Sequence, residues 1–153
     1  MKRSLTRSDP IRPPQPANAQ PPVSGHHWLL DLSHCQAESH LLEEVSALEV
    51  LLPAAATAAG MHVVGQVFHQ FHPCGVTGAV ILSESHLTVH TWPESSFVAL
   101  DVYVCDYNEN NRQKGEQLAQ AMIDLFKPLR SSFQSVQRSS TQLVSPTERH
   151  LPQ

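Results

Sequence analysis

The sequence predicts an α+β fold, a two-layer sandwich in which one largely antiparallel sheet carries two helices on one face. Three observations predict it. Residues Phe97 to Cys105 alternate, and Val98, Leu100, Val102 and Val104 form a wholly aliphatic face that needs a covering layer. Two stretches repeat apolar residues at helical spacing: Leu41, Val45, Leu48 and Leu52, then Leu118, Ala121, Met122, Leu125, Phe126 and Leu129. β-rich runs lie around them in the order β-α-β-β-β-β-α-β, and one sheet with both helices on one face buries all of these surfaces economically.

Taken in order, residues 1–25 are polar and Pro-rich without hydrophobic period, and a disordered tail is expected there. His26 to Leu32, with Trp28, Leu29, Leu30 and Leu32, reads as the first strand. Ser39 is a candidate helix cap, Pro53 should kink or interrupt the helix that follows, and Gly60 is a reasonable stop. Met61 to Phe71 and Val76 to Leu82 are strands joined by the turn His72-Pro73-Cys74-Gly75. Leu87 to Trp92 is a short strand that Pro93 ends, and Phe97 to Cys105 is the next. After a polar loop, 106–111, the second helix ends near Pro128, Ser132 to Arg138 forms a short last strand, and residues 139–153 are a flexible tail. A single domain over 26–138 results.

A chain of 153 residues with 41% hydrophobic content suits one domain of ordinary size. The net charge of −4 is uneven: Lys2, Arg3, Arg7 and Arg12 face only Asp9 before residue 25, so the remainder is acidic. An acidic domain argues against nucleic-acid binding and is compatible with a cationic small molecule. Cys35, Cys74 and Cys105 form no CxxC pair, which points to a reducing compartment rather than a disulfide framework. No apolar run follows the basic N-terminus as in a secretory signal, and none approaches the roughly 18 residues of a membrane span. A soluble, cytoplasmic protein with no membrane partner is expected.

The chemistry gathers in Ser83-Glu84-Ser85-His86-Leu87-Thr88-Val89-His90-Thr91-Trp92-Pro93-Glu94. If the backbone bends to present it, the Ser85 hydroxyl can attack the Glu84 carbonyl and exchange the amide for an ester. Loss of the serine α-proton then expels the upstream chain as a carboxylate. The dehydroalanine that remains tautomerises and hydrolyses, with loss of ammonia, to a pyruvoyl group. Its ketone forms a Schiff base with a substrate amine and draws electrons from the α-carbon, so decarboxylation needs no separate cofactor. His86, Thr88 and His90 share one side of a strand, so two imidazoles can flank one site as bases near neutral pH. Cys105 ends a neighbouring strand on its polar face, where a thiol can return a proton.

That stretch, extended back to Ile81, resembles the processing segment of the prokaryotic S-adenosylmethionine decarboxylase proenzymes. Phe71-His72-Pro73-Cys74-Gly75-Val76-Thr77-Gly78 is similar to the family's preceding hairpin, and Asp101 to Cys105 to the strand ending in its catalytic cysteine. The resemblance covers roughly 26–138. It implies cleavage between Glu84 and Ser85, giving a β chain of 1–84 and an α chain of 85–153. It implies Ser85 as the pyruvoyl residue, His90 as the histidine that assists processing, and Cys105 as the proton donor. Thr77 takes the place of a serine that supports processing. Phe71 matches the aromatic that stacks on adenine, and Glu94 the acid that binds the ribose hydroxyls. It further implies S-adenosylmethionine as substrate, an aminopropyl donor for spermidine synthesis as product, and a homodimer with active sites at its interface. Cys74 stands where an aromatic is usual, and Ser95-Ser96-Phe97 where the family is more aromatic.

Two other readings compete. The pyruvoyl machinery can serve a basic amino acid such as arginine or ornithine. Alternatively, the ten histidines, with His69, His72 and Cys74 close together, suit an uncleaved zinc-binding module, although no standard finger spacing occurs.

Overall fold

The computed structural model describes residues 23–106 and 110–140. Most of the expected N-terminal tail, nearly all of the C-terminal one and part of the expected polar loop lie outside the described residues. The elements are β1 (Ser24–Cys35), α1 (His40–Glu43), α2 (Val45–Ala58), β2 (Val63–Gln70), β3 (Val76–Leu82), β4 (Ser85–Trp92), a 3-10 turn at Pro93–Ser95, β5 (Phe97–Cys105), α3 (Arg112–Phe126) and β6 (Pro128–Ser139). The six strands form one sheet in the order β2-β3-β4-β5-β1-β6, and every neighbouring pair is antiparallel. The architecture is the expected α+β sandwich.

The core lies between the sheet and the helices. Val98, Val102 and Val104 of β5 are fully buried, as their aliphatic alternation predicts, beside Leu87 and Val89 of β4 and Trp28, Leu30 and Leu32 of β1. Leu48, Leu52 and Ala56 of α2 and Leu118, Met122 and Phe126 of α3 close the layer from above. Each fully buried aliphatic side chain of this kind contributes about 1.5–3 kcal/mol. Gly115 lets α3 approach β1, because a Cβ there would overlap the Trp28 indole.

Several expectations are corrected. The first helix breaks at Glu44, whose backbone is extended, and not at Pro53, which lies inside α2. Gln70 holds the break open. Its Oε1 accepts from the Val45 N–H at 2.7 Å, and its Nε2 donates to the Glu43 carbonyl at 2.7 Å. Pro53 is tolerated because the apolar face of Leu48, Leu52 and Ala56 is wholly buried, which outweighs one lost helical hydrogen bond. Ser39 stands at the cap position without a side-chain capping bond. Gly60, at φ 80°, follows the last turn of α2 as expected. Leu129 is not on the helix: Lys127 turns left-handed, and Leu129 is exposed in β6, which is longer than expected.

Among the described residues, no helix lies on the other face of the sheet. Strand register runs three neighbouring rows across its centre. The first runs through Ile81, His86, Tyr103 and His27, the second through Ala79, Thr88, Asp101 and Leu29, and the third through Thr77, His90, Ala99 and Asp31.

Candidate active site

At one end of β4, Ser83 and Glu84 form the tight turn of the β3–β4 hairpin. Four bonds hold it. The Ser83 N–H donates to the His62 carbonyl at 2.9 Å. The Glu84 carboxylate accepts from the His62 N–H and the Ser83 hydroxyl, each at 3.1 Å. The Glu84 carbonyl oxygen accepts the Cys105 N–H at 2.8 Å. The Glu84 side chain is therefore a tether for the turn, while its carbonyl is polarised by a fixed donor.

Ser85 follows at φ 151°, a region that non-glycine residues rarely enter and that stores on the order of 1–3 kcal/mol. Its Oγ lies 3.3 Å from Nδ1 of His86. Hydroxyl, imidazole, carbonyl and amide donor thus surround one peptide bond. Cys105 touches this group through its backbone, and its thiol is half-buried at the end of β5.

Around His86 the helix-free face is aromatic and charged. The rings of His86 and Tyr103 are 5.7 Å apart, those of His27 and Tyr103 5.5 Å, and His27 stands edge-on to His86 at 6.3 Å. His27 Nε2 lies 3.3 Å from Asp101 Oδ1, although not aligned as a hydrogen bond, and Thr88 donates to Asp101 Oδ2 at 3.0 Å. The Arg138 guanidinium lies over the Tyr103 ring, 4.8 Å from its centre. Burial pushes the His86 pKa below its ordinary value, and the neighbouring His27 and Arg138 push the same way against a smaller opposing pull from Asp101.

The remaining predicted residues gather at the other end of β4. Phe71, Thr77, His90 and Glu94 line one cleft of about 300 Å³ together with Cys74, Val76, Thr91 and Trp92. Thr77 Oγ1 and His90 Nδ1 are 2.6 Å apart. Thr91 is buried beneath, donating to the Leu42 carbonyl at 2.7 Å and accepting the Val76 N–H at 2.8 Å, which ties α1 to the cleft floor. Five residues of strand separate Ser85 from His90, roughly 16 Å at the usual rise. One chain therefore brings one of the two strand imidazoles to Ser85, and that one is His86.

Sequence reasoning did not single out His27, Asp101 and Tyr103 beside the Ser83-Glu84 turn, or Trp92 in the cleft. Alternation signals which side of a strand they occupy, but the rows depend on β1 lying next to β5, which no local pattern reveals. Among the described residues no three His, Cys, Asp or Glu side chains are grouped to hold a metal ion, and His69 packs edge-on against Phe71. No described helix is long and apolar enough to cross a membrane.

Known proteins resemble this chain. The family model described as S-adenosylmethionine decarboxylase matches residues 26–139. A protein named S-adenosylmethionine decarboxylase proenzyme from Thermodesulfovibrio yellowstonii is 38% identical over 103 residues, covering 67% of this chain and 72% of that one. Its namesake from Caldanaerobacter subterraneus subsp. tengcongensis is 43% identical over 86 residues, covering 56% and 68%. A crystal structure of the adenosylmethionine decarboxylase from Aquifex aeolicus matches with a TM-score of 0.69 at 30% identity, over 79% of this chain and 95% of that one.

Proposed function

The chain belongs to the S-adenosylmethionine decarboxylase family, and from that premise we propose that it cleaves its own backbone between Glu84 and Ser85 and then decarboxylates S-adenosylmethionine, yielding the aminopropyl donor for spermidine synthesis. The observation that carries this reading is the Glu84–Ser85 peptide. Its carbonyl accepts a fixed amide proton, its serine is held at φ 151°, and an imidazole lies against the serine hydroxyl. Attack on that carbonyl needs these three features, and the strain at Ser85 favours leaving the amide. The pyruvoyl group left at Ser85 supplies the electron-poor ketone that binds the substrate amine.

The side chains divide the remaining work. The cleft of Phe71, Trp92 and Glu94 suits an adenosyl group: Phe71 stacks on the base and Glu94 takes the ribose hydroxyls. Cys105 returns a proton to the substrate carbon once carbon dioxide has left. His90, held by Thr77, removes the Ser85 α-proton during processing. The products of cleavage are a β chain of 1–84 and an α chain of 85–153. Three free thiols support a reducing, cytoplasmic setting.

The working unit is a homodimer. The Ser85 end and the His90 end are roughly 16 Å apart on one strand, too far to share a reaction. A two-fold axis through the middle row, near Thr88 and Asp101, exchanges the two outer rows. Two helix-free faces packed in this way set Ser85 of one protomer against Thr77, His90 and the cleft of the partner subunit. Ile81 and Trp92, exposed at 42% and 41%, supply apolar surface for that contact.

The test is the intact mass under denaturing conditions, followed by product analysis. Two chains are expected, the second beginning at position 85 and lighter by one ammonia than a serine start. The processed protein should release carbon dioxide from S-adenosylmethionine and not from arginine or ornithine. A single uncleaved mass from folded protein would sink the reading.

A further inference from the structure

We propose that His86 is the base that starts cleavage, taking the hydroxyl proton of Ser85 within the same protomer. This deepens the self-cleavage reading and rests on it. The two proton transfers of processing differ in kind: one comes from an oxygen at the start, the other from a carbon once the ester exists. Resemblance assigns one processing histidine, His90, and in its own protomer that residue is five strand residues from Ser85. The imidazole in contact with the attacking oxygen is His86, with Nδ1 3.3 Å from Oγ.

The step balances without any added reactant. The proton passes from Oγ to Nδ1 as Oγ bonds to the Glu84 carbonyl carbon. The carbonyl π pair moves onto its oxygen, which the Cys105 N–H already holds at 2.8 Å. The five-membered ring then opens at the C–N bond. That electron pair stays on the Ser85 nitrogen, which takes the proton back from His86. An amide becomes an ester and an amine, and nothing is oxidised or reduced. The α-proton is left for His90 of the partner subunit.

The surroundings of His86 suit this role. His27 of β1 and Tyr103 of β5 confine its ring from two sides. The titratable and charged groups that face it are His27, Asp101, Tyr103 and Arg138. Their combined action with burial lowers its pKa, so the ring is neutral and able to accept a proton at neutral pH. Asp101, bound by Thr88, fixes the row beneath it.

The experiment follows freshly translated full-length chain by denaturing mass spectrometry, with and without hydroxylamine, which splits an ester at position 84–85 but not an amide. Wild type should yield two chains. His90→Ala should stay whole yet be split by hydroxylamine, because its ester forms and waits. His86→Gln and His86→Ala should stay whole and resist hydroxylamine, with ester formation slowed roughly 100-fold or more. His86 variants that cleave within a fewfold of the wild-type rate, or that accumulate the hydroxylamine-sensitive ester, overturn the proposal while leaving self-cleavage intact. A wild-type chain that never splits at 84–85 overturns the self-cleavage reading itself. Should both variants misfold, the wild-type pH profile decides. Ester formation should rise with pH through a value below the ordinary histidine range and then level, and a rate flat below neutrality excludes His86.

Discussion

Cys105 donates its backbone N–H to the carbonyl oxygen of Glu84 at 2.8 Å, joining the end of β5 to the turn between β3 and β4. The bond lies outside the regular ladder, where Ser85 pairs with Val104 and Leu82 with Ser85. It therefore fastens the Glu84 carbonyl, and through its amide it anchors to that turn the residue whose thiol is the proposed proton donor.

These two parts of Cys105 separate by substitution. Cys105→Ala keeps the N–H and should still cleave, while decarboxylation of S-adenosylmethionine falls for want of a proton donor. Cys105→Pro removes the N–H and should slow cleavage roughly 100- to 1,000-fold, the usual loss for one oxyanion donor. Chain masses over time, with circular dichroism as the check on folding, read both. Cleavage by the proline variant at the wild-type rate would rule out a role for the amide.

How far the sequence announces these features depends on their range. The strands are legible because alternation is local: the aliphatic face of Val98 to Val104 has to meet a covering layer, and it does. The break at Glu44 is not legible, because Gln70 makes it from β2, far along the chain. Pro53 is a local signal that misleads, since burial of Leu48 and Leu52 overrides it. The site residues follow the same division. His86 and His90 share a face by periodicity, but sharing a face is not proximity, and only the fold separates the Ser83-Glu84 turn from the cleft.

Gly115→Ala should destabilise the protein, although alanine is the better helix former by roughly 1 kcal/mol. The added Cβ overlaps the Trp28 indole, and both groups lie in a filled core. Overpacking of this kind costs about 1–3 kcal/mol. The net change should be a loss of up to about 2 kcal/mol, measured by denaturant unfolding in an uncleaved Ser85→Ala background. A more stable variant would show that α3 has room to lift away from β1.

Stability should depend on pH through His86. Its folded pKa is depressed, chiefly by burial, so the unfolded chain holds more protons in the window between the two values. The contribution of neutral His86 is fully present above the ordinary histidine value of about 6.5 and is lost as pH falls through the folded value. In the Ser85→Ala background, acidification from about pH 8 to about pH 5 should lower Tm more than it does when His86→Gln is added. Equal slopes would mean that other histidines dominate.

The proposed division of the site between protomers has its own test. Ser85→Ala lacks the nucleophile, and His90→Ala lacks the partner base; each alone should give uncleaved chains. In a mixed dimer the His90→Ala chain still carries Ser85, and the Ser85→Ala chain still carries His90. If the two ends of β4 meet across a two-fold axis, one of the two composite sites in that dimer is complete. Co-expression should then split the His90→Ala chain at 84–85 in the fraction of dimers that are mixed, about half for random pairing, while the Ser85→Ala chain stays whole. A mass difference from an affinity tag on one chain identifies which is cut. If His90 instead reaches Ser85 within its own chain, no mixture restores cleavage, because each chain carries its defect into its own site. Recovery also bears on His86, since the chain that is cut must supply its own His86: adding His86→Gln to the His90→Ala chain should abolish the recovery, and adding it to the Ser85→Ala chain should leave it unchanged.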